Sequence, residues 1–113
     1  MHEYSIVQAL LNSCEEQVKI NNATLVSKVV VKIGVMSGVE PDLFKTAFDT
    51  FKEKTVCENA KLIINIQPVI IICNDCGTKT VLDRLEYRCS KCGSLNVSVV
   101  DGEEMYLMQL ELE

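Results

Sequence analysis

The stretch CNDCGTKTVLDRLEYRCSKCG, residues 73–93, decides how the chain is read. Cys73 and Cys76 flank one tight turn, and Cys89 and Cys92 flank another, with twelve residues between the pairs. Folding the intervening segment back brings the turns together, and four sulfurs then close a tetrahedron. Zinc is the preferred ion because it is redox-inert and accepts four thiolates with little strain. Iron in a rubredoxin-like site is the lesser option, and two separate redox pairs fit this spacing less well. Gly77 and Gly93 directly follow the second cysteine of each pair, where the backbone needs a positive φ. A coreless segment of this size needs an ion to hold it together. The spacing therefore speaks strongly for a metal and weakly for any one function.

Upstream, Val7, Leu10, Leu11, Cys14 and Val18 recur at helical spacing and predict a helix over 4–19, ended by the INN at 20–22. Over 27–35, Val29, Val31, Ile33 and Val35 alternate with Lys28, Val30 and Lys32, the pattern of a strand with one buried face. Pro41 suits the first turn of a second helix, which runs to about residue 54 with Phe44, Ala47, Phe48 and Phe51 as its apolar stripe. A strand is expected over 61–67, with Leu62, Ile64 and Ile66 on one face. IIIC at 70–73 leads into the first knuckle, 78–88 form a short hairpin, and 97–100 form a strand leaving the metal lobe. Asp101-Gly102 reads as a two-residue turn, and 106–112 as a final strand pairing in the first sheet.

The predicted class is α+β: a small mixed sheet with two helices, plus a four-cysteine zinc-ribbon lobe inserted before the last strand. The predicted division is 1–67 plus 99–113 for the first domain and 68–98 for the second. Cys14 falls on the first helix's apolar stripe as a core thiol, and Cys57 in a loop as a thiol without a role.

Composition narrows the function. Hydrophobic residues are 48% of the chain, enough for a packed core of Val, Ile and Leu. The net charge is −5 and the eleven Lys and Arg are scattered, so no basic face for nucleic acid is expected. The longest uncharged apolar run is Val69 to Cys73, too short to span a membrane. No secretory signal is visible, and the paired cysteines indicate a reducing cytoplasm. No phosphate loop, nucleophile elbow or spare histidine supports an enzyme.

His2 is the only histidine. The α-amine of Met1, the His2 backbone nitrogen and its imidazole can form two fused chelate rings in one plane, which suits Ni(II) or Cu(II). Composition alone favours the plainer reading of an exposed residue near a chain end. Glu40 likewise reads as a helix cap before Pro41.

MHEYS at 1–5, IGVMSGVEPDLFKTAFDTF at 33–51, ENAKL at 58–62, the CNDCG and CSKCGS pair and DGEEMYLMQLELE at 101–113 together resemble the HypA/HybF family of hydrogenase nickel-incorporation proteins. The resemblance runs through the whole chain in order. It implies a nickel metallochaperone for [NiFe]-hydrogenase maturation, with Ni(II) as cargo and a separate structural Zn(II). Carried onto this sequence, Met1, His2 and Glu3 are the nickel residues, with Glu40 at the position of an acidic residue that approaches the nickel. Cys73, Cys76, Cys89 and Cys92 are the zinc ligands. The implied partners are the nickel-handling GTPase of the pathway and the hydrogenase large subunit, with urease accessory proteins and a homodimer as further options. Some members carry histidines beside the second cysteine of each pair. Here Gly77-Thr78 and Gly93-Ser94 stand there, so a histidine-switched zinc site is not expected. A zinc-ribbon module binding protein or nucleic acid, with an inert amino terminus, is the alternative from another class.

Overall fold

The computed structural model describes residues 2–113, with His2 described in its backbone alone. Helix α1 (His2–Ile20) carries Val7, Leu10, Leu11, Cys14 and Val18 on its buried face. Its end is a Schellman motif. Asn22 takes φ 54°, its amide reaches the Lys19 carbonyl at 3.3 Å, and the Ala23 amide reaches Val18 at 2.9 Å. Asparagine tolerates the left-handed region that such an ending demands.

Strand β1 (Val26–Gly34) is the centre of the first sheet, with order β2-β1-β6. It pairs in parallel with β2 (Lys61–Gln67) and antiparallel with β6 (Met105–Leu112), which makes the sheet mixed. A parallel neighbour requires a crossover, and helix α2 (Pro41–Phe51) supplies it. Val29, Val31, Ile33, Phe44, Ala47 and Phe48 join the α1 stripe in one core. A register shift between Val26 and Lys28 lets Val26 face that core as well, although its parity differs from Val29.

Three apolar residues depart from the predicted stripes. The strand ends at Gly34, so Val35 is half exposed, as is Ile66 near the end of β2. Helix α2 stops at Phe51 rather than 54 because Lys54 adopts φ 63°. Phe51 is left 41% exposed with its ring edge-on to Tyr4, centroids 5.1 Å apart.

The second sheet has order β4-β3-β5 and is antiparallel throughout: β3 (Ile70–Cys73) lies between β4 (Lys79–Val81) and β5 (Val97–Asp101). The hairpin expected over 78–88 is half present. β4 pairs back onto β3, and 82–88 form no strand, so the outer edge of β4 stays unpaired. Val69 and Ile71 are the fully buried aliphatic side chains of this lobe.

Asp101-Gly102 is not a hairpin turn, since β5 and β6 belong to different sheets. It is the crossing between the sheets. Gly102 has φ +98°, and a Cβ there would lie 2.5 Å from the Val69 Cα. A Cβ on Gly34 would meet the Gly102 carbonyl oxygen at 2.3 Å. Three backbone segments thus cross where only glycine leaves room. Beside the crossing, Lys32 Nζ donates to Asp101 Oδ2 at 3.0 Å and lies 5.1 Å from the Tyr106 ring centroid. Placed end to end, the two sheets give the molecule extents of 53 × 28 × 18 Å.

Candidate metal centres

The two knuckles are built alike. In the first, Cys73 N–H donates to the Thr78 carbonyl at 2.9 Å and Gly77 N–H to the Cys73 carbonyl at 2.9 Å. In the second, Cys89 N–H donates to Ser94 at 2.9 Å and Gly93 N–H to Cys89 at 3.0 Å. Gly77 and Gly93 take φ +77° and +74°, the left-handed turn expected from the sequence. Each turn aims backbone amides at its first sulfur. Cys76 N–H reaches Cys73 Sγ at 3.4 Å, while Lys91 and Cys92 N–H reach Cys89 Sγ at 3.4 and 3.5 Å. Such amides stabilise thiolate over thiol.

The four sulfurs all lie within 4.8 Å of one another, with Cys73–Cys92 at 3.6 Å and Cys76–Cys89 at 3.5 Å. Zinc–sulfur bonds of about 2.3 Å in a tetrahedron put sulfurs roughly 3.8 Å apart, so the cluster fits a zinc ribbon. Proton affinities inside the cluster diverge. The Thr78 hydroxyl and amide pull the Cys76 thiol down to about 6. The Cys92 and Lys91 amides lower Cys89. The Ser94 amide pulls Cys92 down, but the neighbouring Cys73 thiol, burial and the other two thiols together push it up to about 12. Four like charges cannot share this volume without a cation, and a bound dication removes that conflict.

A polar network not foreseen from the sequence joins the knuckles. Asp75 accepts from Ser94 Oγ at 2.5 Å and from Asn96 Nδ2 at 3.1 Å, and Asn74 reaches Asn96 Oδ1 and Ser98 Oγ. These pairs are 19 to 24 residues apart, and side-chain type alone carries no signal that they meet.

At the other end of the molecule, Met1 lies outside the described residues and His2 opens α1. Glu3 Oε2 accepts the Glu40 amide at 3.2 Å, and Glu40 Oε1 accepts the Asp42 amide at 3.1 Å. Glu40 is the N-cap of α2, as its place before Pro41 suggested. The structure therefore brings Glu3 and Glu40 together, 37 residues apart in the chain. Tyr4 packs on Phe51, so the first turn of α1 is anchored to both ends of α2. Cys57, expected as an idle loop thiol, is fully buried in the first core with Cys14.

No described helix is long and apolar enough to cross a membrane. Residues 1–112 match the family described as hydrogenase/urease nickel incorporation, metallochaperone, hypA. The hydrogenase maturation factor HypA of Shewanella oneidensis is 54% identical over 113 residues, covering 100% of this chain and 96% of its own. That of Aquifex aeolicus is 52% identical, covering 100% and 98%. The solution structure of the Ni metallochaperone HypA from Helicobacter pylori superposes with a TM-score of 0.70 at 41% identity, covering 97% of this chain and 96% of that one. A second solution structure, of HypA protein, gives 0.77 at 43% identity, covering 100% and 97%. With a metal-ready cysteine cluster and matches along its whole length, the chain belongs to the HypA family of hydrogenase/urease nickel-incorporation metallochaperones.

Proposed function

We propose that this chain carries one Ni(II) at its amino terminus and one structural Zn(II) on Cys73, Cys76, Cys89 and Cys92. The carrying observation is the family match over residues 1–112, which takes in both the MHE start and the paired cysteines. Met1, through its α-amine, and His2, through its backbone nitrogen and imidazole, supply the planar donors. Glu3 and Glu40 are the candidates for the remaining position. The Glu3 carboxylate accepting the Glu40 amide supports this, because it sets the first turn of α1 against the N-cap of α2. The first amides of a helix have no acceptor within the helix, so using a backbone nitrogen there costs the ladder nothing.

The chain is a carrier and not an enzyme. Its recipients are the nickel-handling GTPase of hydrogenase maturation and the hydrogenase large subunit, in the cytoplasm, with urease maturation as a second destination. The expected boundary at 99 moves to 102, because β5 runs to Asp101 within the second sheet: residues 1–67 plus 102–113 form the nickel-bearing domain and 68–101 the zinc domain. A chain-end site suits transfer, because an incoming ligand can displace the donors one at a time.

Nickel titration of protein with its native amino terminus, against His2→Ala, tests the cargo site. Wild type is expected to bind one Ni(II) and His2→Ala none. Binding should strengthen as pH rises toward the α-amine's ordinary value of about 8, since the proton must leave first. Equal binding by both proteins rejects the site, and so does the absence of stoichiometric nickel from wild type.

A further inference from the structure

The second knuckle lies on a stretch with no regular structure. Between the end of β4 at Val81 and the start of β5 at Val97 the chain forms neither helix nor strand. Cys89 is its one buried residue, and Leu85 and Leu95 along it are exposed. Apolar packing therefore does little to hold Cys89 and Cys92 against the first knuckle. Among the described residues, the ties between the two knuckles, sulfurs aside, are polar. Asp75, the residue before Cys76, accepts Ser94 Oγ on one carboxylate oxygen at 2.5 Å and Asn96 Nδ2 on the other at 3.1 Å. The Thr80 and Ser90 hydroxyls lie 2.9 Å apart, and the Ser90 amide donates to Thr80 Oγ1 at 3.3 Å. Asn74 N–H donates to the Asn96 carbonyl at 2.9 Å, at the foot of the segment. Asp75 is the charged member of this set. We propose that Asp75 is a positioning residue that latches the second knuckle onto the first and so sets how fast the cluster releases its metal, an inference that rests on the assignment of zinc to the four cysteines.

Access to the sulfurs explains why the latch sits where it does. Cys73 and Cys89 are each 3% exposed, whereas Cys76 and Cys92 face solvent. A competing chelator meets the exposed sulfurs first. Asp75 adjoins Cys76, and Ser94 is the second residue after Cys92, so the latch joins the two turns next to their accessible ligands. Metal leaves by losing ligands one at a time. While the latch is closed, a sulfur that lets go stays close to the ion and rebinds before the next one parts. Hydrogen bonds to a carboxylate are stronger than those between neutral groups, which makes the Asp75 bridge the firmest of the polar ties. The same carboxylate also adds negative charge beside four thiolates, and that repulsion works against metal-free closure. The two effects of Asp75 oppose each other, and an isosteric neutral residue tells them apart.

The test loads full-length wild type, Asp75→Ala and Asp75→Asn with zinc and follows release into excess EDTA under one buffer condition. Asp75→Ala is expected to release zinc roughly tenfold faster than wild type, the lower end of the effects seen for residues that support metal ligands. Asp75→Asn keeps an oxygen for Asn96 and should fall between the two. Hydrogen exchange on the same zinc-loaded proteins separates a latch from general support of the lobe. Faster exchange should be confined to 89–96, with the strands at 70–73 and 97–101 unchanged. Equal release by wild type and Asp75→Ala would overturn the proposal, and so would faster exchange that spreads through those strands. Slower release from Asp75→Asn than from wild type would also overturn it, because charge repulsion would then outweigh the latch. Should Asp75→Ala fail to fold, Asp75→Asn decides by the same comparison. Wild type that holds no zinc removes the zinc assignment and the latch together. Equal release from proteins that all hold zinc removes the latch alone.

Discussion

Around Cys73 and Cys89 the backbone itself wraps each sulfur, with a left-handed glycine and amide donors supplied from within five residues. At the opposite end, Glu3 and Glu40 come together because the start of α1 lies against the start of α2. The cysteine cluster is local in construction, drawing each half-site from one turn. The acidic pair is tertiary in construction, drawing its halves from two helices. The cluster needs only two knuckles to meet, whereas the acidic contact depends on how two helices pack.

Breaking the cluster should have the largest effect. Cys73→Ser changes a proposed ligand that is also the last residue of β3, and the lobe has Val69 and Ile71 as its fully buried aliphatic side chains. Expected are loss of stoichiometric metal and of hydrogen-exchange protection over 70–101, with the first lobe still folded. Full metal content in this variant would remove Cys73 from the site.

Gly102→Ala strikes the crossing that joins the two regions. The new Cβ would meet Val69 Cα, carbonyl oxygen of Pro68 and Val69 N at 2.5–2.8 Å, in a backbone with φ +98°. A loss of about 3 kcal/mol is expected in denaturant unfolding, as for other strained or overpacked positions. An unchanged midpoint would mean that the crossing can open without cost.

Glu40→Ala sharpens the acidic end. Loss of the N-cap should cost about 1 kcal/mol, and Glu40→Asn should restore most of it. Nickel affinity measured on the same two variants separates the roles. If both lose nickel the carboxylate is a ligand, whereas recovery in Glu40→Asn alone makes Glu40 a cap.

The smallest effect is expected at the Lys32–Asp101 pair. The Lys32 ammonium, then the Gly102 amide, hold the Asp101 carboxyl below its ordinary value. A lowered folded-state value means stability that is present above the ordinary carboxylate range and lost as pH falls through the folded value. Asp101→Asn should therefore have a lower Tm than wild type near pH 7, with the gap closing below about pH 4. A gap that stays constant with pH would show that the charge contributes nothing.

The legibility of the chain follows the same division. Both helices and the strands of the first sheet were readable because 3.6- and 2-residue periodicities report directly on one buried face. The metal cluster was readable because its ligands come in local pairs. Residues 82–88 defeated the reading, since a run bounded by knuckles gives no hint of whether a partner edge exists. Asp101-Gly102 carries the signature of a hairpin, yet a turn signal states only that the chain bends, not which strands it will join. The burial of Cys57 was not legible, because a loop position says nothing about the core that closes over it.

By itself, then, the sequence determined which segments coil, which extend and which four sulfurs can share an ion, all consequences of covalent spacing and local backbone preference. Only the tertiary structure decided that β1 and β2 run parallel, that Gly34, Gly102 and Val69 cross, that Asp75 ties one knuckle to the other, that Glu3 meets Glu40, and that Cys14 and Cys57 are buried in one core. Those pairings join residues far apart in the chain, and packing alone brings such residues together.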